Sequence, residues 1–503
     1  MTRAAYTSSL LATLFCAPAA GNPAPQQPGA RPTLLVFITV DQLRQDYLDK
    51  WRSQFTGGFK QLLDGGAVFT NGHQDHAITE TAPGHASTMS GRFPRSTGII
   101  RNLAGVNDDP NAPLLTGQGP SASPFRFKGT TLTDWLTAAN SRTRALSVSL
   151  KDRGAILPIG RSKQQVYWWA GNTFTTSRYY ADSLPSWVQA FLARRLPERT
   201  AGRVWGLLLP PASYPEPDSV PIENGGRTPT LPKVLPADSA IAARAVAGTP
   251  FMDEILAAFA LEGVERLGLG KGPHTDVLAV SFSTTDFIGH SYGPDSREIH
   301  DQIVRLDRTI GALLDSLFKL RDRANIVIAL TADHGVTPFP DIQPQRYTPP
   351  AQRVSVRPAL AAARAVFRAA SLDTMLVELE SGALVIERGA GVTPPLVSAA
   401  ADSFVAVAKR TPGVLLAERF AVLSRRDLGK DAIARRWTQM FSPDIPVEAV
   451  VTLHPGHYWA GVTYALHGQP HGRTETTERY VRSAAAAGDR RTRARTPRRS
   501  GGT

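Results

Sequence analysis

The sequence predicts an α/β protein with a mainly parallel central sheet sandwiched by helices and carrying inserted cap segments. The first observation is three short runs rich in Val, Ile and Thr, TLLVFITV, DVLAVSFSTT and NIVIALTA. Their length and composition are those of strands buried on both faces. Second, residues 294–321 place Ile299, Ile303, Leu306, Ile310, Leu313 and Leu317 at helical spacing between two of these runs. Third, the runs close on Asp41, Asp286 and Asp333, and in open α/β sheets the ligand crevice lies at the carboxyl ends of the strands.

The elements follow in order. After the first strand at 33–40, DQLRQDYLDKW and FTGGFKQLLDGGAVF read as helix, Gly-Gly turn and a second short strand. Residues 143–149 read as another strand. The Pro-rich stretch 184–238, with PPASYPEPDSVPIENGG, has few periodic apolar positions and is expected to be an irregular insertion over the sheet face. The core resumes near Phe251. Residues 346–440 combine an Ala-rich helix, the hairpin-like TMLVELESGALVIER and a further helix, predicting a smaller α+β insertion. The catalytic core is thereby assigned to 33–345 and 441–472. There is no internal repeat.

The chain has 503 residues and is 42% hydrophobic, enough for a large core. Arg3, the apolar SSLLATLFCAPAA and then NPAPQQPGARP resemble a secretory signal at 1–20 and a linker at 21–32, implying a periplasmic or secreted protein. Cleavage near Ala20 removes Cys16, the single cysteine. Phe15 before Cys16 argues against a lipoprotein anchor. No other apolar run reaches the roughly 20 residues of a membrane span. The net charge of +13 owes much to Arg490, Arg491, Arg493, Arg495, Arg498 and Arg499. This Arg/Ala-rich segment, 473–503, reads as a solvated, disordered tail, and no nucleic-acid-binding signature accompanies it. Nothing in the sequence sets an oligomeric state.

Three carboxylates gathered at one sheet edge repel one another, and burying them without cations costs several kcal/mol each, roughly. A divalent metal accounts for them. Asp286 and His290 are four apart in DFIGH, so a helical turn would let both hold one ion. His334 directly follows Asp333, and His467 follows the expected strand YWAGVTYAL. In HAITETAPGHASTMSGRFPRSTGIIRN, Thr81 precedes an expected short helix, ASTMSG, whose N-terminus suits a phosphate oxygen. Alone, Thr81 reads as a helix cap and each Asp-His pair as a surface pair. Their joint occurrence points instead to a metal-activated hydroxyl nucleophile.

These motifs resemble the alkaline phosphatase superfamily, in its threonine-nucleophile phosphate-monoesterase branch, over most of residues 33–470. The resemblance implies an alkaline phosphatase-like fold and two Zn²⁺ per chain, one held by Asp286, His290 and His467, the other by Asp41, Asp333, His334 and the Thr81 oxygen. It also implies in-line attack by Thr81 on small-molecule phosphate monoesters, through a covalent phosphothreonine. The branch's phosphoryl-binding asparagine lies twenty-one residues after the threonine, matching Asn102 (102 − 81). Its Lys-x-Arg pair matches Lys151 and Arg153 in SLKDRGAIL. On a strand these two would share a face, and two cations favour a monoester dianion over a diester. YWWAGNTFTTSRYY resembles a site-lining segment, although Tyr167, Trp168 and Trp169 fit core packing equally well.

A sulfatase is excluded, because Thr81 stands where a Cys or Ser would be modified. A phosphodiesterase or nucleotide pyrophosphatase would keep the metal ligands, the threonine and the asparagine, and is the alternative. After the His-Gly segment the sequence predicts no further strand, unlike the family. A truncation or reading-frame change near His471 would account for the abrupt Arg/Ala composition, and would make a catalytically impaired metal-binding relic a further alternative.

Overall fold

The computed structural model describes residues 31–462, 464–465 and 477–483, the last as backbone only. Its main sheet contains, in chain order, β1 (Leu34–Val40), β2 (Ala67–His73), β3 (Ala145–Ser149), β4 (Gln165–Trp169), β5 (Phe174–Thr175), β6 (Asp276–Phe282) and β7 (Ile326–Ala332). A smaller sheet contains β8 (Val377–Glu380), β9 (Ala383–Ile386), β10 (Val414–Arg419) and β11 (Val447–Leu453). A last strand, β12 (Thr477–Ser483), returns to the main sheet, whose order is β2-β12-β7-β1-β6-β3-β4-β5.

The five strands β7, β1, β6, β3 and β4 run parallel. Along β1, Leu34, Val36, Ile38 and Val40 enter one core while Phe37 enters another, the period-two alternation of a sheet covered on both faces. The first face is covered by the long helices Phe251–Leu267 and Arg297–Leu320, which supply Phe259, Val264, Ile303 and Leu306. The second is covered by α1 (Thr81–Ser90) and its neighbours through Ala82, Ala86 and Met89. The mainly parallel three-layer α/β architecture is therefore the one the sequence predicts.

Register positions the site. Val40 pairs with Phe282 on one side and Ala332 on the other, so Asp41, Ser283 and Asp333 are the first residues past a common strand end. Helix α2 (Thr284–Tyr292) starts immediately beyond β6, which puts Asp286 in its first turn and His290 one turn later.

Several elements depart from the sequence expectations. Val447–Leu453, assigned to the core, is an inner strand of the smaller sheet between β9 and β10, because its buried alternate residues extend the apolar face of helices Arg357–Ala369 and Pro394–Ala408. Among its described residues, YWAGVTYAL contributes only the two-residue strand Tyr458–Trp459. Thr477–Ser483 lies in the stretch expected to be a strandless tail, yet pairs antiparallel with both β2 and β7. Its TERYVRS composition lacks apolar alternation, so this strand rests on backbone pairing to two neighbours rather than on a legible pattern. The 184–238 insertion is mostly irregular but includes helix Ser186–Leu192. Cys16, the signal-like stretch and His467 lie outside the described residues. Among the described residues no helix is long and apolar enough to cross a membrane.

Candidate active site

Three strand ends and two helix starts converge on one buried cluster. Asp41, Thr81, Asp333 and His334 are fully buried, and Asp286 is 3% exposed. His334 Nε2 lies 3.3 Å from Asp41 Oδ1, 3.6 Å from Asp333 Oδ2 and 3.8 Å from Asp286 Oδ1. His290 Nε2 is 3.1 Å from Asp286 Oδ1, the geometry expected of residues four apart on a helix. Five of the seven ligand candidates therefore meet in one place, together with Thr81. His467 is not among the described residues.

Thr81 is not a cap. Glu80 occupies the N-cap position and Thr81 the first helical position, with Pro83 in the first turn, where its missing N–H is of no consequence. The Thr81 hydroxyl is thus left free of a capping bond and points into the cluster. Lys151 Nζ donates to its Oγ1 at 3.1 Å, and His334 Nε2 is 3.4 Å away. The loop beyond α1 brings Asn102 back to the same helix start, where its Oδ1 accepts the Ala82 N–H at 2.8 Å and its own N–H donates to Glu80 at 2.7 Å.

Lys151 and Arg153 are not on a strand, because β3 ends at Ser149 and Lys151 is the N-cap of the short helix Asp152–Ile156. The strand expectation that would have put them on a shared face therefore fails. Lys151 turns inward, with Nζ 2.7 Å from Asp41 Oδ2 and 2.5 Å from Asp286 Oδ2. Arg153 lies 3.4 Å from Asp152, and its Nε is buried with no hydrogen-bond partner. Tyr167, Trp168 and Trp169 are core residues: Tyr167 packs against Trp187 and Phe259, and Trp168 lies in the apolar layer under α1.

The electrostatics are those of a cation site. Burial works against the charged form of His334, but Asp333, Asp41 and Asp286 outweigh it and push the imidazole up to about 9. Burial likewise opposes the Asp286 carboxylate, yet His290 and Lys151 hold it well below the usual carboxylate range. Burial would neutralise Lys151, and Asp286 and Asp41 keep it charged. The donor set fits a divalent metal. Asp41, Asp286 and His334 each offer a ligand atom within 4.8 Å of the others. The two Asp41 oxygens face the Lys151 ammonium and the His334 imidazole, so both are turned into the cluster. Oxygen and imidazole donors in this mixture suit zinc and similar first-row ions.

Residues outside the sequence expectations hold the cluster in place. His85 lies with Nδ1 3.0 Å from Asp333 Oδ2 and Nε2 2.9 Å from Ser281 Oγ, tying α1 to β7 and β6. Its position four residues after Thr81, on the same helix face, was the signal available. Gly84 lets α1 approach, since a Cβ there would stand 2.2 Å from the Asp333 carbonyl oxygen.

A parallel sheet with this acid and imidazole edge, and a threonine at a helix start above it, defines an architecture of the alkaline phosphatase superfamily. The family model for type I phosphodiesterase / nucleotide pyrophosphatase matches residues 35–357, and the chain belongs to that family. The chain is 35% identical over 358 residues to alkaline phosphatase PhoV of Synechococcus elongatus, covering 66% of this chain and 65% of PhoV. It is 34% identical over 327 residues to alkaline phosphatase PafA of Elizabethkingia meningoseptica, covering 61% and 60%. These matches thus span less than two thirds of either relative. A crystal structure of wild-type alkaline phosphatase PafA matches with a TM-score of 0.81 at 26% identity, over 90% of this chain and 91% of that one.

Proposed function

We propose that this protein is a zinc-dependent alkaline phosphatase that hydrolyses small-molecule phosphate monoesters through a covalent phosphothreonine at Thr81. The observation that carries this reading is the Thr81 hydroxyl itself, buried at a helix start, 3.1 Å from the Lys151 ammonium and above the three-carboxylate cluster. The names of the relatives support a monoesterase, and the donor set supports metal.

Asp286, His290 and His467 would hold one zinc, and Asp41, Asp333, His334 and Thr81 the other. When bound, the ions supply Lewis-acid polarisation and favour a deprotonated hydroxyl at neutral to alkaline pH. Lys151 donates to the same hydroxyl oxygen and stabilises its anionic form, as does the positive end of α1. Thr81 Oγ loses its proton to solvent and bonds to phosphorus, while the bond to the leaving oxygen breaks and that oxygen leaves as an alcohol after protonation. Water then attacks phosphorus, the Thr81 Oγ–P bond breaks and phosphate departs. Asn102, fixed through Ala82 and Glu80, has its amide NH₂ available for a phosphoryl oxygen. Arg153 brings an unpartnered buried Nε. Export to the periplasm or medium follows from the signal-like N-terminus.

The second reading, a phosphodiesterase, is favoured by one observation: the family model that matches the chain is that of type I phosphodiesterase / nucleotide pyrophosphatase. The test is kcat/KM for p-nitrophenyl phosphate against bis-p-nitrophenyl phosphate on zinc-loaded protein. A strong monoester preference supports the first reading, and a diester preference supports the second. No turnover of either would indicate an impaired relic.

A further inference from the structure

Gln42 follows Asp41 at the end of β1 and is completely buried, in a place where a glutamine is costly. Its φ of 65° lies in the left-handed region, which disfavours residues with a Cβ. That backbone twist has a visible result: the Gln42 N–H donates to Asp333 Oδ1 at 3.1 Å, while its side-chain Nε2 donates to Asp286 Oδ1 at 2.9 Å. The carboxylate can only accept, so the amide must present its NH₂ there. One residue thereby grips a carboxylate from each of the two ligand sets. The facing helix makes room for it, because a Cβ on Gly289 would stand 1.9 Å from Gln42 Oε1.

We propose that Gln42 is a positioning residue that locks the two halves of the metal site together, its strained backbone amide fixing Asp333 and its carboxamide fixing Asp286, with Gly289 kept small to admit it. This rests on the two-metal reading above. Neither Gln42 nor Gly289 touches the reacting atoms. Hydrogen bonds that orient metal ligands commonly change affinity by about 10- to 100-fold, and the two contacts of Gln42 can be separated. Gln42→Gly removes the carboxamide but keeps the N–H and relaxes the φ, so the Asp333 contact survives. Gly289→Ala leaves every ligand intact, displaces the carboxamide, and replaces a mid-helix glycine with a better helix former.

The experiment is a competitive zinc titration of metal-free protein against a chromophoric chelator, fitted for two dissociation constants, with folding checked by circular dichroism. For both variants the expected result is a 10- to 100-fold loss at one zinc site and a change of under about threefold at the other. The site that weakens should be the one also lost in Asp286→Asn, rather than the one lost in Asp333→Asn. Two unchanged constants in the folded Gly289→Ala protein would overturn the proposal, as would equal losses at both sites. If wild-type protein bound no zinc, the metal reading itself would fail and take this proposal with it.

Discussion

Lys151→Met should destabilise the metal-free protein severely and the zinc-loaded protein little. The Lys151 side chain is 7% exposed and contacts Asp41, whose side chain is fully buried, and Asp286, whose side chain is 5% exposed. Methionine has similar length but no charge, so the substitution leaves two buried carboxylates without their ammonium. Breaking a buried ion pair by removing one partner costs about 3–5 kcal/mol, and here one cation serves two acids. Bound metal would replace the missing charge, so most of that loss should vanish on loading. Urea unfolding with and without chelator measures both. The expected outcome is a large drop in the metal-free midpoint and a drop several times smaller with zinc. An unchanged metal-free midpoint would refute the assignment of Lys151 as the counter-charge of the cluster.

Further outcomes follow from the same geometry. Gly84→Ala would drive a Cβ to 2.2 Å from the Asp333 carbonyl oxygen; overpacking of this kind costs about 1–3 kcal/mol. Because Thr81 lies on the same turn, kcat should fall more than KM rises, measured with p-nitrophenyl phosphate. His334, held up at about 9 in metal-free protein, carries a proton at neutral pH. Its stabilising charge is fully present below about 6.5 and lost as pH rises through 9, so zinc entry must release a proton. Apparent zinc affinity should then climb about tenfold per pH unit up to roughly 9, and a flat profile would contradict this. Burial and the neighbouring Glu298 push the Glu223 carboxyl up to about 8 despite Lys233. The native state therefore binds the extra proton, so its contribution is complete below about 4.5 and disappears as pH rises through 8. Glu223→Gln should flatten that part of the stability profile, read by urea midpoints between pH 5 and 9.

Two of the acids were legible in the sequence because they terminate strands. A run such as NIVIALTA announces both a buried parallel strand and its end, which puts Asp333 at the crevice by sequence pattern alone. Asp41 follows the same logic, whereas Asp286 lies in the first turn of the helix after its strand, where its helical spacing to His290 is the legible signal. Lys151 was misplaced in orientation because its surroundings read as strand, whereas the chain turns into a helix at Asp152. Gln42 was invisible for another reason: its role depends on a left-handed φ and on the gap left by Gly289, and neither leaves a periodic trace. Val447–Leu453 could equally belong to either sheet by composition, and only pairing with β9 and β10 assigns it.

The central claim is that a phosphoryl group passes through Thr81. Zinc-loaded protein turning over p-nitrophenyl phosphate should be quenched in acid within the first turnovers, digested, and its peptides weighed. The expected result is one added phosphoryl group on the peptide containing Thr81, with neither label nor turnover in folded, zinc-loaded Thr81→Ala. Wild-type turnover by that variant, or label on another residue, would contradict the account.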